Sequence, residues 1–118
     1  MQNSPDPLDR LGNLNSLAVG LGLAVAIEVA TCFIRFGLGL QTTRDTGWMA
    51  AFTFGYRIHH GYIGVLLIAS AFAFLPAANG YRHLLLIMGY ALFFSDLMHH
   101  LAILWPLTGT PQFDIRYP

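Results

Sequence analysis

Ionisable side chains stand in three short groups within otherwise apolar stretches of the sequence. The groups are Glu28, Cys32 and Arg35; His59 and His60; and Asp96, His99 and His100. Imidazole nitrogens and carboxylate oxygens are common ligands of divalent metal ions. Together the groups offer four histidines and two carboxylates, which can supply the three or more ligands of a metal site. Metal binding is therefore the first chemistry that the sequence predicts.

Helical spacing turns the members of each larger group to one side. Glu28, Cys32 and Arg35 are separated by four and three residues, and the group that begins at Asp96 repeats steps of three and four. Residues at these steps share one face of a helix. The predicted metal ligands are His60, Asp96, His99 and His100. The predicted catalytic carboxylates are Glu28, as ligand or general base, and Asp96, as ligand or as the group that orients a ligating imidazole.

Arginine cannot ligate a cation, so the basic residues near the groups have other predicted partners. We expect Arg35 to pair with Glu28 or Asp96, or to bind an anionic substrate group. In an alternative interpretation the chain binds haem, because histidines that face each other across helices can be axial haem ligands. An arginine or histidine near the membrane surface can also hydrogen-bond a haem propionate or a quinone carbonyl. The predicted cofactor contacts are then Arg35, Arg57 and His59.

Each group also has a purely structural interpretation. Glu28 and Arg35 can neutralise each other within a helix seam, and the His59–His60 pair can lie among lipid headgroups. Cys32 is expected to be a small packing residue. His83 lies near the start of the last apolar run, whereas Asp96, His99 and His100 lie near its end, so we expect His83 at the opposite membrane interface.

The composition predicts an all-α integral membrane protein. The 118 residues are 55% hydrophobic and only 10% charged, whereas soluble domains carry about 25% charged residues. The length predicts one domain, 1–118. The six basic residues are all arginines and are spread along the chain, so no nucleic-acid-binding stripe is predicted. We expect a multi-pass protein of a prokaryotic inner membrane, whose partners are the lipid bilayer and either further copies of the chain or a larger membrane complex.

Three apolar runs predict a bundle of three transmembrane helices. The predicted spans are 17–40, 57–77 and 81–105, with a polar N-terminal segment at 1–16 and a C-terminal tail at 106–118. A bilayer core needs about 20 helical residues, and Pro76, Asn79 and Gly80 mark a turn between the last two spans. Consecutive helices with short loops run antiparallel. All three groups should therefore meet at one membrane face.

Two pentapeptides resemble the HxxHH boxes of membrane fatty-acid hydroxylases and desaturases. They are Tyr56-Arg57-Ile58-His59-His60 and Asp96-Leu97-Met98-His99-His100. The resemblance implies iron binding, since that family uses its boxes to hold two irons. Here the first position is Tyr or Asp and no HxxxH box is present, so the resemblance covers ten residues and does not make the chain a member.

Three functions are predicted. The first is a metal-dependent membrane enzyme, with Zn, Fe or Mn, that acts on a lipid-like substrate. The second is a small subunit of a redox complex that binds haem or quinone. The third is a structural or assembly subunit whose polar cluster fixes helix register, or, as a variant, a proton pathway.

Overall fold

The computed structural model describes residues 7–40, 48, 51–112 and 115, with side chains from residue 12 onward. Every regular element in these ranges is helical, which confirms the all-α class. The elements are α1 (Pro7–Cys32), the π segment Phe33–Gly37, α2 (His60–Phe74), α3 (Gly80–Met98), the π segment His99–Leu104 and α4 (Trp105–Thr108). Helix α1 continues into the first π segment, and α3 continues through the second into α4.

Two of the three predicted spans have the length and apolar composition to cross a membrane. They are Gly12–Gly37, with 26 residues, and Gly80–Thr108, with 29 residues. At 1.5 Å per residue both exceed the roughly 30 Å hydrocarbon core. The middle helix, α2, has 15 residues and reaches only about 22 Å. The structure therefore supports two spans of full length and one shorter apolar helix.

The helix ends differ from the predicted bounds, each for a local reason. Helix α1 begins at Pro7 and not at residue 17, because the polar residues before the apolar run are helical as well. The start of α2 is His60 and not residue 57, since His59 is extended with φ −79° and ψ 137°. The last helix continues past Trp105 to Thr108, because a proline is tolerated in the first turn after the π segment. Gly109, at φ 78°, ends it in the left-handed conformation that glycine favours.

The central helix is α3, which packs against α1 on one side and α2 on the other. Small residues make both contacts close. A Cβ on Gly20 of α1 would lie 2.7 Å from the Cβ of Tyr90, and a Cβ on Gly64 of α2 would lie 2.6 Å from the carbonyl oxygen of Gly89. Close approach through small residues is typical of helices that associate within lipid.

Among the described residues, polar and small side chains are buried between the helices, while many large apolar side chains are exposed. Every fourth residue of α1 from position 16 to 28 is buried, and these residues are Ser16, Gly20, Ala24 and Glu28. Large aliphatic and aromatic side chains point outward, with Val29 and Leu66 each 67% exposed and Phe74 82% exposed. Soluble monomers rarely expose contiguous apolar patches of this kind. The outer surface of the described residues therefore suits an apolar environment.

Candidate metal centre

The three groups of ionisable residues converge at one end of the molecule, around a cavity of about 190 Å³. Seven of the eight predicted site residues line the cavity: Arg35, Arg57, His59, His60, Asp96, His99 and His100. The eighth, Glu28, lies behind His99, with its Oε1 atom 2.8 Å from His99 Nδ1. The convergence follows from the antiparallel helices, which bring the end of α1, the start of α2 and the end of α3 together.

Three buried donor atoms form a compact triangle at the cavity. His59 Nδ1 lies 3.2 Å from His100 Nε2 and 3.8 Å from Asp96 Oδ1, and His100 Nε2 lies 3.5 Å from Asp96 Oδ1. At metal–ligand bonds of about 2.0–2.1 Å, tetrahedral geometry separates ligand atoms by about 3.3–3.4 Å. The three residues are 5–6% exposed. This group, the His59–Asp96–His100 triangle, could hold a metal ion.

Local backbone structure explains how the triangle is assembled. His59 is the residue before the first turn of α2, and its extended backbone turns its side chain towards α3, whereas His60 begins the helix. Gly61 lets Asp96 approach α2, because a Cβ at this position would lie 2.6 Å from Asp96 Oδ2. His100 belongs to the π segment His99–Leu104. Such segments are rare and occur frequently at functional sites.

The tail beyond α4 fixes the ring of His100. Its Nδ1 donates a hydrogen bond to the backbone carbonyl of Pro111, at 2.6 Å. Because a carbonyl only accepts, the proton of neutral His100 is on Nδ1, and Nε2 faces His59 and Asp96 as an acceptor. Metal-bound histidines commonly use this arrangement, in which the second ring nitrogen donates to a backbone carbonyl or carboxylate. In the metal-free state His59 Nδ1–H can donate to His100 Nε2, and metal binding requires that proton on His59 Nε2 instead.

His60 lies beside the triangle and not within it. Its Nε2 is 2.9 Å from Ser95 Oγ, its Nδ1 is 3.4 Å from Asp96 Oδ1, and its side chain is 36% exposed. The sequence assigned the metal to His60 and a cofactor contact to His59. The structure places His59 in the ligand-capable group and gives His60 a bond to a hydroxyl.

A second group capable of holding a metal lies on the α1 side. His99 Nδ1 donates to Glu28 Oε1, and Cys32 Sγ donates to the same oxygen at 3.2 Å. Their ligand atoms lie within 4.8 Å of one another. These two hydrogen bonds satisfy Glu28 Oε1 without a metal ion. Because Nδ1 of His99 is used in one of them, Nε2 is the ring nitrogen that remains for the cavity. A carboxylate that orients an imidazole in this way is the usual support of a general base.

Two arginines line the cavity from different elements. Arg35 belongs to the π segment after α1, and its Nη2 donates to Gln112 Oε1 at 3.4 Å. Gln112 has a positive φ of 55°, a strained conformation for a residue with a side chain. The predicted ion pair of Arg35 with Glu28 or Asp96 does not occur among the described residues, because histidines contact both carboxylates. Arg57 lies in the extended segment before α2, where its backbone N–H donates to the Ile115 carbonyl at 2.7 Å.

The geometry does not support a haem held between the closest histidines. Two axial nitrogens on opposite sides of an iron would be about 4 Å apart, at roughly 2 Å per bond. His59 Nδ1 and His100 Nε2 are 3.2 Å apart, which suits two ligands on adjacent positions of one ion.

His83 occupies the opposite end of the molecule. Its Nδ1 is 3.0 Å from Ser16 Oγ, and the Ser16 hydroxyl donates to the Gly12 carbonyl. It therefore joins α3 to α1 and takes no part in the cluster.

Sequence reasoning missed three residues of the site. Ser95 precedes Asp96 as a second polar residue in an apolar helix, and that position was a usable signal. Gln112 lies in the tail, whose course the sequence does not specify. Pro111 contributes only a backbone carbonyl, which no residue type reveals. Comparison of the chain with family models, curated proteins and solved structures found no match.

Proposed function

We propose that this chain is a metal-dependent membrane enzyme whose divalent ion is bound by His59, Asp96 and His100 and whose substrate is lipid-like. The observation that carries the proposal is the buried triangle of donor atoms, at separations that suit one ion, beside an open cavity. Two imidazoles and one carboxylate, with the remaining positions open, are the ligand set of both catalytic zinc and non-haem iron sites. Zinc, iron and manganese are the candidate ions.

The membrane location is supported by the distribution of side chains. Two helices are long and apolar enough to cross a bilayer, and the large apolar side chains point outward. Ionisable residues within such helices are costly unless they face the interior, where they mark functional sites by default. Glu28 and Asp96 both meet this description, since each is buried against histidines.

The side chains supply the parts of a hydrolytic mechanism. A divalent ion held by His59, Asp96 and His100 would supply Lewis-acid polarisation of a carbonyl or phosphoryl oxygen. His99 is held by Glu28 through Nδ1, so its Nε2 is the nitrogen that would accept a proton as general base. Asp96 and His59 complete the ligand set, and the Pro111 carbonyl keeps His100 in the tautomer that binds through Nε2. Glu28 thus serves as a positioning carboxylate for the base.

Metal analysis of the purified protein, with an absorption spectrum of the same sample, tests the proposal. We expect about one zinc, iron or manganese ion per chain and no Soret band. A Soret band would replace the proposal with a haem protein. Absence of metal after incubation with each ion in turn would leave the cluster as a contact that fixes helix packing, and the proposed enzyme would be rejected.

A further inference from the structure

A carboxylate, a thiol and an imidazole meet between the end of α1 and the π segment that follows α3. His99 Nδ1 and Cys32 Sγ lie 2.8 Å and 3.2 Å from the same oxygen, Oε1 of Glu28. The three ligand atoms lie within 4.8 Å of one another. Glu28 and His99 are each 8% exposed, whereas Cys32 is half-buried. The atoms therefore converge on one point, and the thiol is the most accessible of the three groups.

The separations of these atoms are close to those of ligands around one ion. Zinc bonds are about 2.0–2.1 Å to nitrogen or oxygen and about 2.3 Å to sulfur, so tetrahedral ligand atoms lie about 3.3–3.6 Å apart. The observed contacts are shorter by about 0.3–0.6 Å, because hydrogen bonds join the atoms. Side-chain rotations of this size do not require the helices to move.

This group is distinct from the His59–Asp96–His100 triangle. The rings of His99 and His100 have centroids 5.6 Å apart and planes at 82°. His99 contacts Glu28 on α1, whereas His100 contacts His59 before α2. The triangle offers only nitrogen and oxygen ligands, and the second group adds a sulfur. Because soft thiolate ligands favour soft ions, the two groups suit different metals.

We infer that Glu28, Cys32 and His99 form a second metal site, which takes a thiophilic ion such as Cu⁺, Zn²⁺ or Cd²⁺ after the triangle is filled. The ion replaces the two hydrogen bonds to Glu28 Oε1. Ligands must be deprotonated to bind, so the thiol proton passes to solvent and the proton of neutral His99 moves from Nδ1 to Nε2. The second site is the weaker one, because its ion must displace both hydrogen bonds and the thiol proton.

An ion in the second site would switch off the proposed base. Nε2 of His99 is the nitrogen assigned to proton acceptance, and coordination through Nδ1 places the ring proton on that nitrogen. Glu28 would at the same time leave its role as the carboxylate that orients the base. This regulatory consequence rests on the proposed function, whereas binding of the second ion does not. The second ion is therefore an inhibitor of the first metal centre.

Titration with Cd²⁺ of the protein in detergent, already loaded with one equivalent of zinc, tests the inference. The chain has one cysteine, so a thiolate-to-cadmium charge-transfer band reports on Cys32 alone. We expect the band to saturate at one cadmium ion per chain while metal analysis of the same sample shows the zinc retained. Absence of the band in cadmium excess would overturn the second site. Release of zinc as the band grows would show that both ions use one site, which also overturns it.

A pair of variants on α1 tests whether the thiol binds the ion alone. Glu28→Gln should weaken cadmium binding by more than about 100-fold, because loss of an outer-shell partner already costs roughly 10–100-fold. Thr31→Ser is the matched control, since the Thr31 hydroxyl donates to the Ile27 carbonyl of its own helix, and it should bind cadmium as the unmodified chain does. Equal cadmium affinities of the two variants would overturn the three-ligand site.

Nitrogen-15 NMR of ring-labelled histidine tests the proton shift in the unmodified chain. The ring signals of His99 are assigned by their loss in His99→Gln. We expect the His99 proton on Nδ1 before cadmium is added and on Nε2 afterwards. A proton that stays on Nδ1 in the cadmium-bound protein would overturn the inferred switch.

The two metals distinguish this inference from the proposed function. Bound zinc without a thiolate band in cadmium excess overturns the inference and leaves the triangle in place. A Glu28-dependent thiolate band in a chain whose triangle holds neither zinc, iron nor manganese overturns the proposed enzyme and leaves the thiolate site.

Discussion

Histidines have different contacts at the two ends of the helical bundle. At one end His83 bonds a single hydroxyl, that of Ser16, and the hydroxyl in turn bonds the Gly12 carbonyl. At the other end four histidines and two carboxylates share contacts, and Asp96 Oδ1 alone lies within 3.8 Å of three imidazoles. A closed pair satisfies its own hydrogen bonds and joins two helices. A convergent group brings several lone pairs to one point, which is the requirement of a cation site.

Removal of a side chain of the His59–Asp96–His100 triangle should have the largest effect on metal content. The same substitution of His83, at the other end of the molecule, should have none. We expect His100→Ala and Asp96→Ala to lose bound metal, with affinity falling by more than the roughly 10–100-fold that loss of an outer-shell partner costs. His83→Ala should keep full stoichiometry. Metal content after matched purification is the measurement. Full occupancy in either triangle variant would show that these residues are not ligands.

The second largest effect is expected from a substitution that disturbs the packing of α2 against α3. Gly64→Ala places a Cβ 2.6 Å from the Gly89 carbonyl oxygen, so α2 must move away from α3 at a cost of about 1–3 kcal/mol in the free energy of unfolding. Gly22→Ala is the matched control, because nothing lies within 4 Å of the added Cβ, and it should stabilise α1 by roughly 0.5–1 kcal/mol. Thermal unfolding in detergent compares them. Equal midpoints would contradict the close approach of α2 and α3.

The hydrogen-bonded pair of Ser16 and His83 should contribute less to the free energy of unfolding. Ser16→Ala removes the partner of His83 and should cost about 1 kcal/mol in the free energy of unfolding. Metal content should not change, since the pair lies at the far end of the molecule. The same thermal and metal measurements apply, and a loss of metal in this variant would mean that the two ends are not independent.

The smallest effect is expected at Cys32. Its thiol is a weak donor to Glu28, so Cys32→Ala should keep the metal and should lower the thermal midpoint less than Ser16→Ala. Spectra of the cobalt-substituted protein provide a second measurement, because a thiolate ligand adds a charge-transfer band. Loss of metal or of such a band in Cys32→Ala would move the site from the triangle to Glu28, Cys32 and His99.

The sequence predicted where the ionisable residues gather, because that outcome depends only on helix direction and spacing. It did not predict how they pair. Steps of three and four put both His99 and His100 on the side of Asp96, but the π segment that begins at His99 changes the angular positions. His99 contacts Glu28 on α1 and His100 contacts His59 before α2.

The sequence pattern also did not predict the first residue of α2. Apolar and aromatic residues also precede Arg57 in the sequence, at 48–56, so hydropathy does not mark the first helical residue. The helix starts at His60, and this single position decides that His59 faces the interior. If the helix had begun three residues earlier, as predicted, His59 would lie within it. Its side chain would then point in a direction set by the helix and not by the extended backbone. The roles predicted for His59 and His60 depended on that boundary.

If His100 binds the proposed ion, its hydrogen bond to Pro111 would couple the tail at residues 109–112 to metal binding. Coupling between two binding events is reciprocal. If docking of the tail favours the metal-binding tautomer of His100, then bound metal must favour the docked tail by the same factor. Displacement of residues 109–112 from the helices would then weaken metal binding, and loss of metal would weaken the docking of the tail by the same factor.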